Sequence, residues 1–360
     1  QDLQFTRDGN ARCYGALQLN GGLVQARNCY ANNTSGTNVI FMNGGTLRNR
    51  STVTNFIYNL DWVYVQPGGA KFDVLPYTAV ATGQPLLTDP NLGDGGLTKS
   101  GDGLLYLVGA NTFTGNIAVV GGHLCLSNSA GLVAGYAGKV SVAAGASIGY
   151  ATAGGANALL SHMDAASAGG LTLYSENAAE NINLSAFPSL AVGLANGVTY
   201  TGTLTPYNLQ YKFSAVSSNL NVYGAVIADG ASAASVTLDG LPYGVIELTG
   251  NNSFTGGTVI NGGILSLGHA NALGTSGSIL IKRGAALRLN ASGIASSIVS
   301  RIDPASEGAI LLGGPCAGLS LDLSALPGVR LGTDVPTLTA TGALTPANNE
   351  YRLGGGRLPY

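Results

Sequence analysis

Cleavage of a polysaccharide by acid–base chemistry needs two carboxylates held roughly 5–10 Å apart. One acidic pair, Asp89 and Asp94, lies in the run Thr88-Asp89-Pro90-Asn91-Leu92-Gly93-Asp94-Gly95-Gly96. In such a run Asp serves turn geometry, and Asp229 and Asp239, each followed by Gly, read the same way. The three histidines are scattered. His123 and His269 each follow a glycine and read as exposed strand or turn residues. His162 has Arg301 as its counterpart in a second copy of the surrounding sequence, which marks a polar surface position that accepts either basic residue. No GxSxG elbow or Ser-His-Asp order is present. Gly354-Gly355-Gly356-Arg357 lacks the Lys-Ser/Thr of a phosphate loop, and the calcium-binding nonapeptide is absent. The cysteines Cys13, Cys29, Cys125 and Cys316 form no CxxC, so zinc and thioredoxin-type chemistry lack their spacing. Cys13 and Cys29 can pair in an oxidising compartment; the alternative is two unpaired small residues. These residues predict no catalytic, cofactor-binding or metal site.

Recognition is better served. Tyrosines number 16 against 8 phenylalanines, and an exposed Tyr can stack on a sugar ring or anchor an interface. Tyr14, Tyr30, Tyr58 and Tyr64 gather near the N terminus with Trp62, as candidates for contact with a glycan or a partner. Filling of turn corners is the competing use for them.

What positions these residues follows from a repeat. Asn20-Gly21-Gly22, Asn43-Gly44-Gly45 and Pro67-Gly68-Gly69 each precede an alternating apolar run. Further Gly-containing turns continue the series at Gly121-Gly122, Ala144-Gly145, Gly262-Gly263 and Arg283-Gly284. A nearly constant step of about 21–24 residues, with period-two alternation, is the length of one β-solenoid coil. Each coil holds about three short strands, stacked roughly 4.8 Å from the next. Val245–Leu248, Gly263–Leu267, Ser278–Ile281 and Ala286–Leu289 read as such strands; Leu265 and Leu267 share the inner face, and Glu247 must face out. Residues from Ala156 to Met163 and from Gly293 to Ile302 read as short helices or loops decorating the coils.

A longer repeat lies over the first. Gly109-Ala110-Asn111-Thr112-Phe113-Thr114-Gly115 returns as Gly250-Asn251-Asn252-Ser253-Phe254-Thr255-Gly256, and Leu184-Ser185-Ala186-Phe187-Pro188 returns as Leu323-Ser324-Ala325-Leu326-Pro327. The two matches share almost one offset, the mark of a tandem duplication. It divides the chain into an N-terminal array (1–95), a first unit (96–235) and a second (236–360), read as one continuous rod.

Composition agrees. Charged residues make up 9% and glycine contributes 55 of 360 positions, with a net charge of −2. No basic patch favours nucleic acid, and no apolar run is long enough to insert in a membrane. No apolar leader is visible at Gln1, as in a processed chain or an excised segment.

Gly96-Leu97-Thr98-Lys99-Ser100-Gly101-Asp102-Gly103-Leu104-Leu105-Tyr106-Leu107, followed by the Gly109–Gly115 motif, resembles the bacterial autotransporter-associated β-strand repeat. Residues 244 to 268 resemble it again. The resemblance implies a right-handed parallel β-helix exported to the cell surface, and it carries no catalytic residues. The expectation is therefore an all-β fold, a solenoid of the coil length given above, serving as an extracellular structural or adhesive element without enzymatic activity. A glycan-binding module is the alternative, and a polysaccharide-cleaving enzyme comes behind it. Neither end shows a cap, so Gln1, Leu3, Phe5, Tyr351, Leu353, Leu358 and Tyr360 are candidates for end-to-end stacking into a homopolymer.

Overall fold

A computed structural model describes residues 1–5, 14–32, 36–128, 131–132, 134–195, 197–215, 220–240, 244–333, 335 and 337–354. The chain forms two compact units, Gln1–Thr172 and Leu173–Tyr360.

In the first unit the chain visits three sheets in turn and then visits them again. Tyr14–Leu19 belongs to one sheet, Leu23–Ala26 to a second and Cys29–Tyr30 to a third; Thr37–Met42, Thr46–Asn49 and Ile57–Tyr58 repeat the circuit. Each strand pairs in parallel with its equivalent one circuit later: Tyr14 with Thr37, Leu23 with Thr46, Cys29 with Ile57. A parallel strand needs a long return connection, and here the other two sides of the coil supply it. The result is a β-solenoid. From Leu97–Ser100 onward the coils keep two strand-bearing sides, one running through Leu97–Ser100, Ile117–Val119 and Val140–Val142. The other runs from Ala79–Thr82 through Leu104–Leu107 and His123–Leu126 to Ser147–Tyr150.

The second unit is built the same way. One ladder joins Ala191–Leu194, Gln210–Ala215, Ser235–Gly240, Thr258–Ile260 and Ile279–Ile281. A second joins strands from Thr199–Tyr200 to Arg330–Gly332. The expected strands appear as Val245–Leu248, Gly263–Leu267, Ile279–Ile281 and Ala285–Leu289. A helix at Gly155–His162 and a 3-10 helix at Ser296–Arg301 occupy the two places read as helical.

Coil length follows the loops. Most steps keep close to the expected length, but the step from Leu104 to its partner His123 is short and that from Ala70 to Leu97 is long. The long step carries the Asp89–Gly95 turn. Glycine makes the corners: Gly44 and Gly69 hold φ of 91° and 78°, a region costly for other residues. A Cβ on Gly68 would stand 2.5 Å from the Asn43 carbonyl carbon of the coil before.

Inner faces are aliphatic. Leu105, Leu107, Leu124, Leu126 and Ile148 line the first unit, and Ile246, Leu248, Leu265, Leu267, Leu287 and Leu289 the second, all at 0% exposure. Glu247 departs from expectation. It points away from Ile246 and Leu248, yet it is buried at 8% exposure and does not meet solvent. The outer face of its sheet is itself buried: Val245, Ile264, Ala286, Ala309 and Leu311, which share that face by register, form a buried apolar cluster beside it. There Glu247 Oε1 accepts hydrogen bonds from Ser266 Oγ and Asn290 Nδ2, both at 2.9 Å.

Tyr77 is fully exposed and holds φ of 58° in the turn closed by Thr78 N–H donating to Leu75 C=O. A tyrosine gains nothing from packing there and bears the left-handed penalty. Tyr77→Asn, which tolerates this conformation, should raise stability by about 0.5–1 kcal/mol, read as a higher urea midpoint at unchanged slope. A lower midpoint would contradict the turn geometry.

Candidate functional site

Outward side chains of the sheet containing Tyr14–Leu19, Thr37–Met42, Trp62–Val65 and Leu87–Thr88 fall into rows set by the register. Ala16, Val39 and Trp62 form one row; Gln18, Phe41, Tyr64 and Leu87 form the next; Tyr14 pairs with Thr37 beyond them. Phe41 and Tyr64 lie near-parallel with centroids 5.9 Å apart, and Trp62 and Tyr64 with centroids 6.2 Å apart. Trp62 is 41% exposed. Tyr30 and Tyr58 belong to a different side of the coil, where they stack tightly on each other at 5.0 Å and 5°. The five aromatic candidates therefore divide. Trp62 and Tyr64 form one group that includes Phe41, which sequence reasoning missed. Tyr30 and Tyr58 form a second, and exposed Tyr14 stands on the edge strand of the first sheet. Alternation already placed Phe41 opposite Ile40 and Met42; its partner one coil on was the missing information.

The carboxylates have structural tasks. Asp89 Oδ1 accepts from the N–H groups of Asn91 and Leu92, and Oδ2 from Gln66 Nε2 at 2.8 Å. Asp94 reaches the next coil, accepting from Thr114 N, Gly115 N and the hydroxyls of Thr88 and Thr114. Asp229 does the same for Thr255 N and Oγ1, and also accepts from Ala234 N. Burial works to raise the Asp94 pKa, but the donors of Thr114, Gly115 and Thr88 outweigh it and hold the carboxyl below its ordinary value. The Thr255 hydroxyl, with the Ala234 and Thr255 N–H groups, lowers that of Asp229. A depressed folded pKa contributes stability above the unfolded value, lost as pH falls through the folded one. The destabilisation caused by Asp94→Ala or Asp229→Ala should therefore be full at pH 6 and shrink below about pH 3.8. Denaturant titrations across that range check it; a pH-independent difference would exclude the carboxylate bonds as its source.

The basic residues correct three expectations. His123 lies in the strand His123–Leu126, one of the two placements expected, but is half-buried and not exposed, and its Nδ1 meets Ser147 Oγ at 2.6 Å. Burial, helped by the nearby Lys99 charge, pulls its pKa down to about 4, so it is neutral at physiological pH. His269 is half-buried in a bend, where its Nδ1 accepts from Asn271 N. The His162/Arg301 position is not a tolerant polar surface. His162 packs edge-on against Tyr136 at 5.0 Å, whereas the Arg301 guanidinium donates to the carbonyls of Leu273, Gly274, Ser276 and Gly277. Each closes down a loop of the preceding coil by its own chemistry.

Lys99 is a residue that sequence reasoning passed over. It shares the inner face with Leu97, at 0% exposure, and its Nζ donates to the carbonyls of Ser100, Gly101 and Gly121 at 2.7–3.0 Å. Burial draws its pKa down to about 8, against the pull of Asp73 and Asp102.

Two asparagines complete the corners. Asn111 Oδ1 accepts from Leu86 N of the coil before, and Asn252 Oδ1 from Ile227 N; their Nδ2 groups donate forward to Gly131 O and Ala272 O. Both are 2% exposed and stand beside a buried phenylalanine, Phe113 or Phe254.

Residues 97–124 and 244–267 match the family model of the passenger-associated-transport-repeat. These are the stretches whose corners have just been described, and they sit in a parallel solenoid. The chain is a parallel β-solenoid that carries two passenger-associated-transport repeats. A stretch of 73 residues is 45% identical to the adhesin BmaC autotransporter of Brucella suis biovar 1; it covers 20% of this chain and 2% of the adhesin. The chain thus spans a small fraction of the relative it matches. No solved structure matches it.

In this solenoid the matched repeats' polar residues act as intercoil fastenings. Asn111 and Asn252 tie three successive coils, Thr114 and Thr255 donate to an Asp of the coil before, and Lys99 gathers the carbonyls of one corner. Among the described residues no group of three or more His, Cys, Asp or Glu is placed to hold a metal, and no helix is long and apolar enough to cross a membrane. Cys29 is buried, whereas Cys13 lies outside the described residues. At the chain ends, Leu3 and Phe5 donate N–H bonds to Asn28 O and Tyr30 O. Leu353 bridges Leu331, and Leu358 and Tyr360 lie outside the described residues.

Proposed function

We propose that this chain is a non-enzymatic adhesive segment of an extracellular passenger, displayed on a bacterial surface. The observation that carries the reading is the pair of passenger repeats built into a parallel solenoid. Support comes from the relative named as an adhesin, and from the use of Asp89, Asp94, Asp229 and Glu247 as acceptors for the fold's own donors. The solenoid spaces its outward side chains at coil intervals and holds them rigidly, which suits contact with an extended target. Deleting this segment in frame from its parent protein should lower attachment of the expressing cells to a host surface, with display of the remainder checked by antibody. Unchanged attachment at equal display would overturn the reading.

A second reading, stacking of copies end to end through Gln1, Leu3, Phe5, Tyr351, Leu353, Leu358 and Tyr360, draws on the exposure of Tyr351 and Leu353, at 60% and 69%. Light scattering of the purified chain should then show mass rising with concentration. A constant monomer mass would dismiss it.

A further inference from the structure

We propose that the outer face formed by Phe41, Trp62 and Tyr64 binds neutral pyranose rings of a glycan chain. This rests on the adhesive reading and names the ligand class.

Three observations select that class. First, the aromatic group is open to solvent in part: Trp62 is 41% exposed and Phe41 and Tyr64 are half-buried, with Phe41–Tyr64 and Trp62–Tyr64 stacked at 5.9 and 6.2 Å, looser than Tyr30–Tyr58 at 5.0 Å. An aromatic face is electron-rich and attracts the weakly positive C–H face of a pyranose. Second, the rows carry no charge: Tyr14, Thr37, Ala16, Val39, Trp62, Gln18, Phe41, Tyr64 and Leu87 are all neutral. A nucleic acid or an anionic lipid surface would call for Lys or Arg here. Third, the rim is amide. Gln18 Nε2 donates to Gln66 Oε1 at 2.7 Å and to Asn20 Oδ1 at 3.0 Å, and Asn43 Nδ2 donates to the same Asn20 oxygen. Amides that donate and accept match hydroxyl groups, which do both; the one carboxylate behind them, Asp89, is buried and taken up by Gln66 Nε2.

Phe41 and Tyr64 are register partners on adjacent coils, roughly 4.8 Å apart along the solenoid. A linear glycan lying across the coils would therefore meet successive rings with successive sugars.

Trp62 is the chain's one tryptophan, so its emission reports on this face alone. Purified chain titrated with soluble β-glucan, mannan and galactan should show a saturable change in Trp62 emission with at least one, and retardation in a native gel containing that polysaccharide. Tyr64→Ala should weaken binding at least tenfold in both assays, and Trp62→Ala in the gel. Tyr77→Asn should bind as the unchanged chain does. Far-ultraviolet circular dichroism of each variant separates lost contact from lost fold. No emission change and no retardation with all three polysaccharides, while deletion of the segment still abolishes cell attachment, would overturn the glycan site and leave the adhesive reading standing. Equal binding to a glycoprotein target before and after enzymatic deglycosylation would overturn it in favour of a protein partner. Loss of both sugar binding and attachment in Tyr64→Ala would support the two together.

Discussion

Leu265→Asp should unfold the coil that contains it and loosen the coils on either side. Leu265 has 0% exposure and faces Ile246 in the coil before and Leu287 in the coil after. An unpaired carboxylate cannot be solvated there, and the surrounding aliphatic side chains offer it no donor. The cost should be at least about 4 kcal/mol. Because solenoid stability is close to a sum of coil terms and nearest-neighbour interfaces, the damage should be local before it is global. Thermal unfolding followed by circular dichroism should show the midpoint down by on the order of 10 °C, with limited proteolysis cutting first near residues 245–290. An unchanged midpoint would mean that Leu265 does not face the interior. Leu265→Met, of similar volume, should cost less than about 1.5 kcal/mol and serves as the control for side-chain identity.

The second large effect is expected at Asn252. Its amide satisfies Ile227 N–H on one side at 2.8 Å and Ala272 C=O on the other at 2.6 Å. Asn252→Ala leaves a buried donor and a buried acceptor without partners, at about 1–3 kcal/mol each. A total of about 2–6 kcal/mol should appear in urea unfolding. Asn251→Ala, one residue away and exposed, removes a surface bond to Asn271 and should change stability by less than about 0.5 kcal/mol. If the two substitutions cost the same, the buried bridge is not what the repeat's asparagine contributes. Asn111→Ala should repeat the result more weakly, because its forward bond to Gly131 O is 3.5 Å long.

The coil was legible because glycine and alternation are local signals. Gly21-Gly22, Gly44-Gly45 and Gly68-Gly69 each stand directly before a strand, and the period-two pattern separated Leu265 and Leu267 from Ser266. Burial of the opposite face was not legible, because the apolar neighbours of Glu247 on that face come from later coils, which alternation within one strand cannot reveal. Lys99 carried a signal that charge obscured: its spacing from Leu97 places it inside, and only the ring of carbonyls at the corner makes an ammonium tolerable there. The grips of Asp94 on Thr114 and of Asp229 on Thr255 reach across a whole coil. A reading that assigns each Asp-Gly to its own turn does not look that far. Comparing the two copies of the repeat shows an Asp ahead of each, but which atom it holds emerges only when coils are stacked. The aromatic face was half legible. Enrichment near the N terminus pointed to Trp62 and Tyr64, while their separation from Tyr30 and Tyr58 depends on which side of the coil each strand occupies.

The parallel register of the first unit also settles how it would yield to a pull. Its backbone hydrogen bonds point from coil to coil, so a load in that direction opens a ladder bond by bond instead of shearing it all at once. Tyr14 pairs with Thr37 in the next coil, and each coil peeled away would add roughly 80 Å of extended chain. Such a segment would release length coil by coil, in steps that follow each coil's own length, while the coils behind it stay wound. Under a pull along the coils, that is a shock absorber assembled from the same steps that built the fold.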